Sequence, residues 1–268
     1  MSFESERGRH DAEGRPARSL RALILAAGRG LRLNGGARPD GAPKCLLRFG
    51  GQTLLERHVA LLRSCGVRDI CVVIGYQAQR VREHLERLGA VGVSTVFNPD
   101  FASGSVISLW RADAVMRSGR DTLLMDGDVL YDRRMLEHLI ASPHADCLLM
   151  DSEFEKGEEP VKVCLRDGRI VEFRKRLPPD LSYDRCGESV GFFRLGAATC
   201  AALAARAVDY AGGGRGAEPH EEALRDLMLD PRRPAFGVED VTGLPWVEID
   251  FPEDVRAAED LILPRLVA

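Results

Sequence analysis

Two segments of the chain carry residues suited to phosphate oxygens or to a metal ion beside them, and a third could present backbone groups to a base edge; all lie far apart in sequence. The first is LILAAGRGLRL followed by PKCLL. An apolar run delivers the backbone to Ala26, Ala27, Gly28, Arg29 and Gly30, and Lys44 follows 14 residues after Gly30. Small residues let backbone N–H groups approach phosphate oxygens directly. Arg32 and Lys44 add cations against a polyanionic triphosphate. The glycines alone would equally suit a plain strand-to-helix turn. A dinucleotide fingerprint fits poorly, because the third glycine is missing at its spacing. A Walker A loop is excluded, because no GK[ST] occurs.

The second segment is acidic: Asp126–Gly127–Asp128, with a distant counterpart in Glu248–Ile249–Asp250. Mg²⁺ takes oxygen ligands, commonly one or two carboxylates together with phosphate oxygens and water. Side chains alternate along a strand, so Asp126 and Asp128 share a face if the strand stays regular. A carboxylate at the carboxyl end of a parallel strand stands where open α/β sheets place ligands. The third segment is NPDFASGSVISL, in which Gly104 and Ser105 open a helix. Ser103 or Ser105 suits an N-cap there.

These segments need a scaffold of alternating strands and helices. RALILAA, DICVVIGY, VSTVFNP, DTLLMDGDVLYD and ADCLLMD read as strands. TLLERHVALLRSCG, AQRVREHLERLG, SVISLWRADAVMRSG and RRMLEHLIAS read as the helices between them. The alternation predicts an α/β fold with a doubly wound, mostly parallel sheet. EPVKVCLRDGRIVEFRKR then reads as a tight hairpin about Asp167–Gly168, and GESVGFFRL as a further strand. Helices are expected near AATCAALAARAVDY and HEEALRDLML, and short strands at AFGVEDV and WVEIDF. A closing helix has Pro252 in its first turn. Ala211–Pro219, AGGGRGAEP, is expected to be a flexible loop. His58, His84 and His138 fall on the polar faces of predicted helices and read as surface residues.

Of the 268 residues, 45% are hydrophobic and 29% charged, which suits a folded protein with a sizeable core. A net charge of −4 gives no overall attraction to nucleic acid or to anionic membrane. The seven cysteines are odd in number and form no CxxC, which argues against a disulfide framework or zinc site and fits a reducing cytoplasm. Residues 1–19 are charged without an apolar run and read as a disordered tail. No apolar stretch reaches the roughly 18 residues needed to cross a bilayer.

Taken in order, LAAGRGxRL…PK, NPDFASGSVISL, LLMDGDVLYD, GESVGFF, HEEAL and WVEIDFPEDV…LPRL resemble the sugar- and alditol-phosphate nucleotidyltransferase superfamily. The resemblance runs from Arg21 to Leu266 and is nearest to the phosphocholine and 2-aminoethylphosphonate cytidylyltransferases. It implies a GT-A-like nucleotidyltransferase fold over residues 20–268. Residues 20–150 would form the NTP-binding half, 151–247 an acceptor-binding region with a small hairpin and helical lobe, and 248–268 a metal ligand and closing helix.

The resemblance makes Asp128 and Asp250 the Mg²⁺ ligands, with Asp126 beside them, and sets Gly104 and Ser105 against the nucleobase. It places Lys162 and Lys175 on the acceptor's phosphate and Glu188 near the acceptor, with Glu221 and Trp246 as further candidates. Carboxylates and an aromatic face favour a cationic head such as choline or an aminoalkyl group. The implied partners are CTP or another NTP and a small phosphorylated or phosphonylated acceptor; homodimerisation stays open. A hexose-1-phosphate nucleotidyltransferase is the nearest alternative, and Leu31 stands where that branch commonly has Ser or Thr. A catalytically idle nucleotide-binding relative is a further one, against which Lys44, Asp128 and Asp250 together argue.

Overall fold

The computed structural model describes residues 20–33, 41–154 and 157–267; the expected tail, residues 1–19, lies outside them. The chain opens with strand β1 (Arg21–Ala26), a single helical turn at Lys44–Leu46, a minimal hairpin of β2 (Arg48–Phe49) and β3 (Gln52–Thr53), and helix α1 (Leu54–Ser64). It continues through β4 (Asp69–Ile74), α2 (Ala78–Arg87), β5 (Val93–Phe97), α3 (Val106–Arg111), α4 (Asp113–Met116), β6 (Thr122–Asp126), β7 (Val129–Tyr131), α5 (Arg133–Ala141) and β8 (Cys147–Asp151). The later part holds β9 (Lys162–Arg166), β10 (Arg169–Arg174), β11 (Arg185–Leu195), α6 (Ala197–Gly212), α7 (His220–Met228), β12 (Gly237–Asp240), β13 (Trp246–Glu248) and α8 (Pro252–Ala257).

A nine-stranded sheet runs β10-β9-β11-β6-β1-β4-β5, and β8 pairs with both β11 and β12. The strands β6, β1, β4 and β5 are parallel, as their near-continuous apolar runs require. Alternation along β1 serves both faces. Leu23 joins the core under α3, α6 and α7, while Ala22 and Ile24 join the core under α1, α2 and α5. The expected hairpin forms, with Asp167 and Gly168 both at positive φ, 51° and 72°. It hydrogen-bonds to β11 and so continues the main sheet. Among the described residues, no helix is long and apolar enough to cross a membrane.

Local chemistry explains the boundaries. At the start of α1, Thr53 Oγ1 accepts the Glu56 N–H at 3.1 Å and the Glu56 carboxylate accepts the Thr53 N–H at 2.6 Å, a reciprocal cap. DTLLMDGDVLYD, expected as one strand, is two: β6 ends at Asp126, and β7 leaves the main sheet to pair with β13. SVISLWRADAVMRSG is likewise divided at Ala112, between α3 and α4.

Two expectations fail for reasons of packing. His58 and His84 are buried, at 0% and 6% exposure. His58 stacks near Tyr131 and Phe192, with ring centroids 5.2 and 6.2 Å away, and burial pushes its pKa down to about 4, so it is neutral. His84 Nε2 lies 3.1 Å from Thr53 Oγ1 and 3.3 Å from Glu56, inside the α1 cap. Only His138 is exposed, as expected of all three. The Ala211–Pro219 segment is no free loop either. Helix α6 extends through Gly212, Gly216 O accepts the Gly104 N–H at 2.9 Å, and Glu218 O accepts the Val106 N–H at 3.3 Å.

This clasp leaves no room at Gly104, where a Cβ would stand 2.1 Å from Glu218 O and 2.4 Å from Ala217 C. Gly104→Ala must force the two segments apart. It is expected to cost about 1–3 kcal/mol, read as a lowered urea midpoint with an unchanged slope.

Candidate active site

The acids at 126–128 and 248–250 meet because β7 and β13 form their own antiparallel pair, with Glu248 opposite Val129. The Ile249 N–H donates to Asp128 O at 2.9 Å and extends that ladder to the metal-ligand candidates. Asp254, in the first turn of α8, accepts the N–H groups of Asp250 and Phe251 at 2.8 and 2.6 Å and fixes the backbone there. Asp128, Glu248 and Asp250 thereby bring one oxygen each to within 4.8 Å of the others. Lys44 Nζ donates to Asp128 at 2.9 Å and to Asp250 at 2.5 Å. Burial opposes charge on Lys44, but the two carboxylates overcome it and hold its pKa above the ordinary lysine value. Glu248 reaches solvent through the cleft. Enclosure by its walls, then the charges of Asp128, Asp250 and Asp126, lift its carboxyl well above the usual range.

A cavity of about 310 Å³ joins these acids to Ala27, Gly28, Arg32, Phe101, Ser103, Gly104, Ser105, Lys175, His220 and Glu221. Ala26 and Gly30 line a smaller recess beside it with Lys44 and Asp128. Gly28 has open space on its Cβ side, and Gly30, at φ 59°, packs against the Lys44 side chain. Arg29 is exposed. Asp126 and Asp128 both line the cavity but do not occupy successive places on a regular strand, because β6 ends at Asp126. β11 passes Asp126 so closely that a Cβ at Gly191 would lie 2.2 Å from its Oδ2.

His220 was missed by the sequence reading, although HEEAL was noticed. It is 3% exposed. Its Nδ1 lies 3.0 Å from Ser105 Oγ and 3.0 Å from Glu221 Oε2, and its Nε2 lies 3.7 Å from Asp126 Oδ1. Ser105 also accepts the His220 backbone N–H at 2.8 Å, so its hydroxyl ties α3 to α7 and does not cap its own helix. Burial works against charge on His220, but Glu221 and Asp126 prevail and raise its pKa to about 9. Burial lifts Asp126 to about 7, aided by Glu221 and Asp128 and opposed by His220.

A second cavity of about 550 Å³ shares Glu248 and Asp250 with the first. Its described lining contains Asp151, Glu153, Glu158, Glu159, Glu188, Glu253 and Asp254, the aromatic rings of Phe154, Trp246 and Phe251, and no lysine or arginine. Glu188 and Asp151 face each other across β11 and β8. Burial first, and then Asp151, push Glu188 up to about 7. Trp246 packs its ring beside the core and donates its indole N–H to Asp151 at 2.8 Å. Asp151 is a further residue the sequence reading missed. Its signal was present: LLMD ends at Asp151 as it does at Asp126.

Arg32 donates to Asp250 at 2.7 Å and to Glu159, and Lys175 lies 3.3 Å from that same Glu159 oxygen. Lys162 is not presented to either cavity as a free cation. Its Nζ is spent on the backbone oxygens of Gly157, Pro160 and Lys175 at 2.6, 3.3 and 2.7 Å.

Residues 22–188 match the model of the MobA-like NTP transferase domain, and the chain belongs to that family. It is 32% identical over 90% of its length to a bifunctional IPC transferase and DIPP synthase of Rubrobacter xylanophilus, covering 52% of that protein. It is 27% identical over 90% of its length to the CMP-5'-(3-aminopropyl)phosphonate synthase of Streptomyces rubellomurinus, covering 38% of it. The chain thus spans about half or less of these curated relatives. The solved CTP:phosphocholine cytidylyltransferase of Streptococcus pneumoniae superimposes with a TM-score of 0.68 at 20% identity, over 91% of this chain and 99% of that one, which shows a shared fold.

Replacing His220 by Asn leaves Glu221 and Asp126 buried without their cation. The expected loss is about 3 kcal/mol at pH 7, measured by urea unfolding. The His220 contribution is complete below the ordinary imidazole value of 6.5 and is lost as pH rises through about 9. The gap between wild type and variant should therefore shrink from pH 7 to pH 10.

Proposed function

We propose that this chain is a Mg²⁺-dependent cytidylyltransferase that transfers CMP from CTP to a small phosphorylated or phosphonylated acceptor bearing a cationic group, and releases pyrophosphate. The observation that carries the reading is the convergence of Lys44, Asp128 and Asp250 between a glycine-lined cleft and an acidic, aromatic cavity. Cytidylyl transfer is supported by the names of the Streptomyces relative and the Streptococcus structure. The tail's positive charge is supported by the carboxylates and three rings of the second cavity, a lining suited to an ammonium group.

Asp128, Asp250 and Glu248 fit Mg²⁺, being hard oxygen donors held close together in a site that already attracts the Lys44 ammonium. When bound, the ion supplies positive charge to the reacting phosphate oxygens. An acceptor oxygen attacks the α-phosphorus of CTP, the new P–O bond forms, and the bond to pyrophosphate breaks. The nucleophile is already anionic, so the residues need only bring two anions together and hold them in line. Ala26, Ala27, Gly28 and Gly30 approach the phosphates with backbone, and Lys44 opposes the charge of the leaving group. Gly104 and Ser105 border the base. Arg32 was read from sequence as a triphosphate cation. Its position beside Asp250 and Glu159 suits the acceptor phosphate better, together with Lys175. Lys162 holds Lys175 in place, and Glu188, Asp151 and Trp246 border the acceptor tail.

Incubation with mixed NTPs and a panel of phosphocholine, 2-aminoethylphosphonate and hexose phosphates, followed by mass detection, should yield a CMP conjugate of a cationic acceptor. A sugar nucleotide as the main product would replace this reading with the hexose-1-phosphate one. Asp128→Ala should lower kcat by about a thousandfold or more with an unchanged far-UV spectrum. Full turnover in that variant would remove Asp128 from the reaction.

A further inference from the structure

Among the described residues, Arg32 and Lys175, the cations assigned above to the acceptor phosphate, are already paired within the protein. Oε2 of Glu159 accepts from Arg32 and lies 3.3 Å from Lys175 Nζ, so a single carboxylate oxygen bridges two cations as a phosphate oxygen would. The placement is enforced. Lys162 binds the carbonyls of Gly157 and Pro160, on either side of Glu159, and the carbonyl of Lys175. One ammonium thereby fixes the Glu159 backbone against the end of β10. Glu159 also lines the acidic cavity, together with Glu188, Glu248 and Asp250.

Resting on the cytidylyltransferase reading above, we infer that Glu159 selects zwitterionic acceptors by exchanging ion pairs with them. The acceptor phosphate takes Arg32 and Lys175 from Glu159. The released carboxylate stays on the wall of the acidic cavity, where the acceptor's cationic tail pairs with it. A zwitterion replaces both halves of the pairs it breaks. A phosphate with an uncharged tail occupies the cations but leaves Glu159 unpaired among like charges, which opposes its binding. Glu159 is in this sense a specificity-determining residue, and no bond to it forms or breaks.

The test is equilibrium titration of the full chain, with Mg²⁺ present, using phosphocholine and glycerol 3-phosphate as probes. Glu159→Gln should fold normally, since Glu159 is 57% exposed. It is expected to bind glycerol 3-phosphate about fivefold more tightly than wild type, and phosphocholine no more tightly, so that discrimination falls. Glu158→Gln removes one charge from the same cavity wall, but from a carboxylate that pairs with Arg176 and not with Arg32 or Lys175 among the described residues; its effect on discrimination should be smaller. Unchanged or weaker glycerol 3-phosphate binding in Glu159→Gln, or an equal effect of both variants, overturns the inference. Absence of CMP transfer in wild type strikes the functional reading instead, and the titration distinguishes the two failures.

Discussion

The arrangement depends on the ammonium of Lys44 lying between Asp128 and Asp250. Two carboxylates brought this close repel each other, and with Glu248 beside them the cost would be high without a cation. Lys44 offsets that repulsion while remaining 14% exposed in the cleft. Its own position is set by the single turn Lys44–Leu46, whose Cys45 is buried in the core beneath the sheet. A surface loop would not hold an ammonium steadily enough for this balance.

The same principle recurs across the cleft. His220 lies between Glu221 and Asp126, and Glu159 lies between Arg32 and Lys175. In the cleft, cations stand between carboxylates, whereas the second cavity keeps Glu188 and Asp151 facing each other. On the proposed function, a polyanionic substrate and a divalent cation would enter as exchangers of existing pairs. Such exchange would limit the desolvation to be overcome, and Asp250 links the two cavities by contacting Lys44 and Arg32 alike.

Much of the fold was legible because parallel strands are apolar throughout and their connecting helices are amphipathic. RALILAA and DICVVIGY could hardly be anything else. Lys44 stood out as a cation after the glycine-rich loop, and Asp128 and Asp250 through the resemblance; the structure brings the three together. The rest escaped for physical reasons. β13 has three residues, too few to carry a period, yet it decides which acids meet. His220 becomes chemical only through Asp126 and Ser105, 94 and 115 positions away in sequence. His58 and His84 sit on helices whose polar-looking faces are covered by neighbours, a tertiary fact. The Ala211–Pro219 glycines permit close approach to Gly104, and composition alone does not separate that use from flexibility.

The pair β7–β13 stands outside the nine-stranded sheet, joined to it through the turn at Gly127–Asp128. Asp128 lies at one end of this ribbon, and Glu248 and Asp250 lie on the other strand or just past it. The three carboxylates therefore share one short support. Their mutual spacing is set by the register of that ribbon, with Glu248 opposite Val129 and the Ile249 N–H on Asp128 O. That register is decided outside the main sheet, so the spacing of the acids is independent of the order of the central strands.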